Sequence, residues 1–174
     1  MKIAIDIGHA AGTGARGNGL EEHEICTEIA RHLGNSLIKA GHDVTTIDFP
    51  ELSNKADLNA TIAAANAGLF DFGISLHCDC SENADAHGAH VCYISDKGKR
   101  LALAIASPLS ELLPGRAETI RLRTDLAVLK HTNPTWVLCE CGFISNASDA
   151  KIQSEAPGKI AAAIAEGVED YTAS

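Results

Sequence analysis

The sequence lacks clustered positive charge. Its 174 residues include 14 Lys and Arg against 23 Asp and Glu, which gives a formal net charge of −9, and no run of basic residues is longer than two. Nucleic-acid binding depends on a basic surface that neutralises phosphates. The charge balance therefore argues against nucleic acid as a partner and offers no attraction to anionic polymers.

Long apolar runs are also missing. Asp6 interrupts the apolar N-terminal segment, so this segment does not fit a secretory signal peptide, and no stretch approaches the roughly 20 apolar residues that a membrane span needs. We therefore expect a chain made in the cytoplasm, with no signal peptide and no membrane span. Nothing in the sequence indicates its oligomeric state.

A disulfide framework is not expected, although the chain has six cysteines. Cys78 and Cys80 form one C-x-C pair and Cys139 and Cys141 form another, and both pairs lie within apolar runs. A chain of this length can fold without covalent staples. The cysteines are therefore interpreted as reduced, buried thiols.

Segments typical of strands alternate with segments typical of helices. The strand candidates are short, apolar and bounded by turn residues; they are KIAIDIG, DVTTIDF, FGISLHC, GAHVCYIS and TWVLCECGF. With 45% hydrophobic residues and no repeat or linker, the chain has the size of one domain. The alternation predicts an α/β fold over residues 1–174, with a mostly parallel twisted sheet and helices on both faces.

The clearest helix is predicted from Glu21 to about Lys39, where apolar residues recur every four positions. Further helices are predicted at about 57–67, over KGKRLALAIASPLSELL, and at about 158–171. Pro108 is expected to kink or divide the second of these three. Residues 115–134 show no clear pattern.

Three polar residues stand at the ends of predicted strands: His9, His77 and Glu140. Ligands of open α/β sheets bind at the carboxyl ends of the strands, so one edge of the sheet could gather all three. A single histidine in such a place is more often a hydrogen-bonded structural residue. Three polar residues at one edge instead favour a functional site.

Of the three residues, Glu140 has the surroundings least favourable to a charge, because its neighbours in the strand are apolar or cysteine. A carboxylate there is costly to desolvate without a partner. One explanation is a salt bridge to a neighbouring helix. The other is a general base, because an acid in a cleft of low polarity beside a cation can be tuned toward neutral pH.

Two histidines and one carboxylate are a known set of protein ligands for catalytic zinc. The fourth coordination position of such a zinc ion stays open for water or substrate. Four glutamates near the start of the first helix are candidates for the carboxylate. Glu22 falls almost at the centre of the apolar face, whereas Glu24 and Glu28 turn toward solvent. The alternative role for Glu22 is a helix N-terminal charge. The linear spacing is not a compact zinc signature.

Four motifs of the chain resemble those of the zinc-dependent N-acetylmuramoyl-L-alanine amidases of the amidase-3 family. They are D-x-G-H ending at His9, G-x-x-E ending at Glu22, S-x-H ending at His77, and E-x-G-F-x-x-N starting at Glu140. The likeness runs from Lys2 to about Tyr171. Two positions depart from the family pattern: Thr61 replaces a usual arginine, and IDFPEL replaces a usual T-R after the second strand.

The resemblance implies one Zn²⁺ ion held by His9, Glu22 and His77, with Glu140 in catalysis. The implied reaction is hydrolysis of the amide bond between N-acetylmuramic acid and L-alanine in peptidoglycan. Asn18 and His87 are predicted to lie along the substrate groove. The enzyme would act on the cell wall after release, as a phage or prophage endolysin does, or as a domain of an exported enzyme.

Two alternatives are weighed against this hypothesis. A cysteine-dependent peptidoglycan hydrolase would use Cys78 or Cys139 with His87 or His131, but a nucleophilic thiol needs an electropositive, partly exposed site. A wall-binding or regulatory module would keep the fold and lose catalysis. Such a module is expected to lack Glu140 or a metal ligand, and this chain retains them all.

Overall fold

A six-stranded sheet forms the centre of the computed structural model, which describes residues 1–174. The strands are β1 (Lys2–Ile7), β4 (Asp43–Ile47), β5 (Phe72–Asp79), β6 (His90–Tyr93), β7 (Ile120–Leu122) and β8 (Thr135–Phe143). Their order is β4-β1-β5-β8-β6-β7; the first four are parallel, and β6 runs antiparallel to β8. β2 (Arg16–Gly17) and β3 (Leu20–Glu21) form a separate short hairpin.

Helices cover both faces of the sheet, as the sequence predicts. They are α1 (Glu22–Lys39), α2 (Asn54–Ala67), α3 (Asp96–Leu112), α4 (Ala127–His131), α5 (Ala147–Glu155) and α6 (Pro157–Ala173). On one face, α1, α3 and α6 build the larger core. On the other, α2 and α4 pack over a smaller core around Trp136. The predicted α/β fold with a mostly parallel sheet is therefore confirmed.

Alternation along β1 explains how one strand serves both cores. Ile3, Ile5 and Ile7 enter the larger core, whereas Ala4 enters the smaller one. Successive side chains of a strand point to opposite faces, so Asp6 also lies on the α2 side. This places a carboxylate that is only 5% exposed beneath α2.

The structure differs from the predicted elements in three places. α3 continues through Pro108 without division, because Leu101, Ile105 and Leu109 on its buried face hold it in the core. The unassigned stretch contains β7 and α4. The extra helix α5 begins at Asn146, whose side chain accepts hydrogen bonds from the backbone N–H groups of Ser148 and Asp149.

The cysteines are free thiols, in agreement with the prediction, but one of them is not buried. Cys80 is exposed because it follows the last residue of β5, where the chain leaves the core. None of the helices is long and apolar enough to cross a membrane.

Candidate active site

Three neighbouring parallel strands bring the predicted site residues to one edge of the sheet. His9 lies just beyond the end of β1, and His77 lies near the end of β5. Glu140 of β8 is the register partner of His77. Glu22 is the first residue of α1, which begins directly after the short hairpin at this edge. His9, His77 and Glu140 therefore lie at one edge of the sheet, as predicted from their positions at strand ends.

His9, Glu22 and His77 form a compact cluster, in which one possible ligand atom of each residue lies within 4.8 Å of the others. The His77 Nδ1 atom is 3.0 Å from Glu22 Oε1, and His9 Nε2 is 3.4 Å from Glu22 Oε2. The imidazole rings meet edge to face, with centroids 4.9 Å apart. Such a cluster offers one carboxylate and two imidazoles to a shared point.

Glu22 is almost completely buried, with 2% of its surface exposed. The backbone N–H groups of Ala15 and Cys78 donate to its carboxylate oxygens at 2.6 and 2.9 Å. Burial alone would raise the pKa of Glu22, but the hydrogen bond and charge of His77 and these backbone donors lower it. Glu22 is therefore an anion held in a fixed orientation, and not merely a helix N-terminal charge.

The surroundings of His77 favour its protonated, positively charged form. Burial disfavours its protonation, but the hydrogen bond to Glu22 and the nearby charges of Glu140 and Glu22 outweigh this effect and raise its pKa to about 9. The hydrogen bond between His77 and Glu22 thus favours the protonated imidazole. Metal cations bind to deprotonated ligands and displace such protons.

Tight backbone turns bring the two histidines and the glutamate together. His9 itself has a positive φ of 63°. A Cβ atom at Gly8 would lie 2.5 Å from the His77 ring, and one at Gly14, where φ is +84°, would lie 2.7 Å from Glu22 Oε2. Glycine at both positions permits the close approach that the cluster requires.

Asn54, at the start of α2, orients His9. The His9 Nδ1 atom is 2.9 Å from Asn54 Oδ1. Because an amide oxygen can only accept, His9 donates from Nδ1 and presents the lone pair of Nε2 to the cluster. Partners of this kind fix the tautomer of metal-binding histidines. Asn54 was not among the predicted site residues, because nothing in the linear sequence pairs it with His9.

Glu140 has an unused acceptor. Its Oε2 atom is buried and has no hydrogen-bond partner. Burial raises the pKa of Glu140 to about 7; the positive charge of His77 opposes this rise, and the negative charges of Asp79 and Glu22 add to it. The structural alternative of a salt bridge to a neighbouring helix is not found, because no basic side chain pairs with Glu140. The free oxygen suits a base that acts near neutral pH.

An ion pair between Arg116 and Asp79 lies beside Glu140 and was not predicted from the sequence. Arg116 pairs with Asp79 at the end of β5, and its guanidinium stacks over Phe143 at 4.4 Å. His90, the register partner of Glu140, is buried, and burial together with Arg116 and neighbouring arginines lowers its pKa to about 3. Arg116 supplies a cation that favours the ionised form of Glu140. Its place in the unassigned stretch 115–134 hid this role.

The two predicted groove residues occupy surface positions. Asn18, with a positive φ of 51°, donates from its side-chain amide to the Ile144 carbonyl at 2.9 Å, so it ties the glycine-rich loop to the end of β8. His87 is exposed, and its ring is 2.7 Å from the backbone oxygen of Asp85. Their contact with substrate stays a prediction.

Cys78 and Cys139 are unsuited to act as nucleophiles. Burial raises the pKa of Cys139 far above its ordinary value, and the pKa of Cys78 is also raised, where burial and nearby carboxylates outweigh a hydrogen bond with Cys26. Both therefore remain neutral thiols at physiological pH, which are poor nucleophiles. The geometry gives no support to the cysteine-hydrolase alternative.

The residues of the cluster fit a zinc ion by their chemistry. Two imidazoles and one carboxylate are the ligand set of several catalytic zinc sites, and such sites keep a position open for water or substrate. The arrangement is therefore a candidate metallohydrolase centre at the carboxyl ends of β1 and β5 in a domain of α/β fold.

Comparison with known proteins identifies the family of the chain. A family model described as N-acetylmuramoyl-L-alanine amidase matches residues 3–170. The chain is 33% identical to the uncharacterized protein YqiI of Bacillus subtilis strain 168 over 180 residues, which cover 97% of this chain and 84% of YqiI. It is 32% identical to N-acetylmuramoyl-L-alanine amidase LytC of the same organism, covering 97% of this chain and 35% of LytC.

A solved structure of similar sequence is the catalytic domain of the CD27L endolysin, which targets Clostridia difficile. It is 31% identical, has a TM-score of 0.90, and the match covers 98% of this chain and 97% of that one. The chain belongs to the N-acetylmuramoyl-L-alanine amidase family. It is accordingly an amide hydrolase of the class that acts on the bacterial cell wall.

Proposed function

We propose that residues 1–174 form a catalytic domain that uses one zinc ion to cleave the amide bond between N-acetylmuramic acid and L-alanine in peptidoglycan. His9, Glu22 and His77 would hold the metal. The observation that carries this proposal is the convergence of these three residues, from β1, α1 and β5, within 4.8 Å. Family membership supports the choice of bond.

In this mechanism, Glu140 moves the protons. Its unpartnered Oε2 accepts the proton of the attacking water, and the protonated carboxyl then donates it to the nitrogen of the leaving L-alanine. Zinc, when bound, supplies Lewis acidity that polarises the amide carbonyl and acidifies water. Asn54 fixes the tautomer of His9, while Ala15 and Cys78 fix Glu22 through backbone N–H groups.

The proposed groove lies between the glycine-rich loop 11–19 and the loop 83–88. Asn18 would form one wall, and His87 would form the other. The cell wall is the proposed place of action. Both a released endolysin and a domain of an exported enzyme fit this proposal, since the related sequences include an endolysin catalytic domain and the longer LytC.

Removal of metal tests the proposal directly. Treatment with a chelator should abolish the release of free L-alanine amino termini from purified peptidoglycan, and one equivalent of Zn²⁺ should restore it, because the Lewis acid is lost and regained. Amino termini are measured with an amine-reactive dye, and metal content by mass spectrometry. Full activity in a chain shown to be free of metal would contradict zinc dependence.

The pH dependence of kcat/KM should show a rising limb at or below about pH 7. Glu140 must be ionised to accept a proton, and burial raises its pKa to about 7; a cation bound nearby would lower this pKa. The limb is measured with the zinc-loaded protein between about pH 4 and 8. A rate independent of pH throughout this interval would argue against Glu140 as the base.

A further inference from the structure

A cavity of about 170 Å³ lies beside the candidate metal cluster, on the α2 and α4 side of the sheet. His9 and His77 line one part of it, and Asp6, Asp57 and Thr61 line another. The volume is far larger than the ~10–15 Å³ that a single water requires. The cavity therefore has room for a group of several heavy atoms next to the proposed reaction centre.

Asp57 gives this cavity an unsatisfied negative group. The residue is 4% exposed, and its Oδ1 atom is buried without a hydrogen-bond partner. A buried carboxylate without donors is costly, and structures normally compensate for it. Burial raises the pKa of Asp57 to about 6, and the charges of Asp6 and Asp48 add to this rise. Asp57 lines the cavity and no hydrogen bond reaches its carboxylate, so this group can accept from a donor placed in the cavity.

The neighbouring Asp6, in contrast, has a hydrogen-bond partner for each of its carboxyl oxygens. Thr61 Oγ1 donates to one of its oxygens at 3.1 Å, and Ser75 Oγ donates to the other at 2.5 Å. Trp136 Nε1 donates in turn to Ser75 Oγ at 2.8 Å. Asp6 is therefore a buried carboxyl group whose two oxygens both accept hydrogen bonds. Among the residues that line the cavity, Asp57 is the one whose carboxylate lacks a hydrogen-bond partner.

No lysine or arginine lines the cavity. Its remaining wall is largely aliphatic and includes Leu58, Val128 and Leu138. An alkyl chain suits such a wall, and an ammonium group provides three N–H donors and a positive charge for Asp57. The chemistry of the lining thus selects a primary amine carried on a short alkyl chain.

We propose that the cavity binds the protonated side-chain amine of a lysine-type residue in the stem peptide. This proposal rests on the proposed function, since the substrate must lie across His9 and His77 to reach the cavity. A lysine side chain is favoured because a side chain that carries a carboxylate beside its amine would place that carboxylate against Asp57. The site would thereby select the peptide that follows the scissile bond.

The test compares two soluble muramyl peptides that contain L-lysine, one with a free side-chain amine and one with that amine acetylated. With the zinc-loaded protein, kcat/KM should be about tenfold or more higher for the free amine, which corresponds to one charge-assisted hydrogen bond. Asp57→Asn should reduce this preference to about one. It retains the size and shape of the side chain, and a melting curve verifies its fold.

Asp96→Asn is the matched control, since Asp96 also lies in the first turn of a helix but is exposed. This variant should keep the full preference of the unsubstituted chain. Equal hydrolysis of the two peptides by the unsubstituted protein would overturn the proposal. The same conclusion would follow if Asp57→Asn kept the preference for the free amine.

Binding without turnover separates this proposal from the proposed function. If neither peptide is hydrolysed, the proposed function fails, and calorimetry with the Glu140→Gln variant then decides whether the free amine is bound more tightly. Tighter binding that Asp57→Asn abolishes supports the cavity as an amine site, whereas equal binding overturns it. Binding of n-pentylammonium alone, with no preference between the peptides, would assign the cavity to free amines and overturn its role in substrate selection.

Discussion

Replacing Glu140 by glutamine should lower kcat by about 10²- to 10⁴-fold while zinc content and fold remain unchanged. Glutamine has nearly the same shape but cannot accept and return a proton. Glu140 is not one of the three clustered ligand residues, so the metal cluster stays intact. The measurements are release of L-alanine amino termini, zinc content by mass spectrometry, and thermal unfolding.

Glu166→Gln provides the control for this experiment. Glu166 is an exposed glutamate of α6, and this helix packs on the face of the sheet opposite to α2. Its substitution removes the same charge and should leave kcat within about twofold, because exposed charges contribute little. A Glu140→Gln variant with the activity of this control would remove Glu140 from the mechanism.

Replacing His77 by alanine should abolish zinc binding at ordinary zinc concentrations, and hydrolysis with it. The loss of an orienting partner of a ligand already costs about 10- to 100-fold in metal affinity, and the loss of a ligand itself should cost more. The substitution also removes the cation that faces Glu22 at 3.0 Å. Zinc affinity is measured by competition with a chromophoric chelator.

His32→Ala is the matched control, because His32 lies on α1 outside the cluster, where its ring contacts Arg31. This variant should bind one equivalent of zinc. Melting curves of the metal-free proteins verify that the His77→Ala chain is folded. Unchanged zinc affinity in folded His77→Ala would exclude His77 as a ligand.

The hydrophobic pattern predicted most of the fold because most strands and most helices carry their own local signal. Ile25, Ile29, Leu33 and Leu37 bury one face of α1, and the same periodicity placed Glu22 inside. β7 and α4 escaped prediction because they are three and five residues long, too short for a period to show. The cap formed by Asn146 was a usable signal for α5 that hydrophobic periodicity does not include.

The candidate site was predictable where its residues lie at strand ends or on a helix face. His9, His77 and Glu140 satisfied the first condition, and Glu22 satisfied the second. Asn54 and Arg116 act through contacts with residues 45 and 37 positions away in the sequence, which no local pattern encodes. Thr61 shows the same limit: its departure from the family pattern acquires meaning only through its hydrogen bond to Asp6.

Glu22 ties the proposed ligand cluster to two separate parts of the fold. Its carboxylate accepts hydrogen bonds from the backbone N–H groups of Ala15 and Cys78, and it lies 3.0 Å from His77 Nδ1. The glycine-rich loop 11–19 and the end of β5 are therefore joined through a single carboxylate. A substitution that moves either backbone segment should disturb the geometry of the proposed ligands even though it replaces none of them.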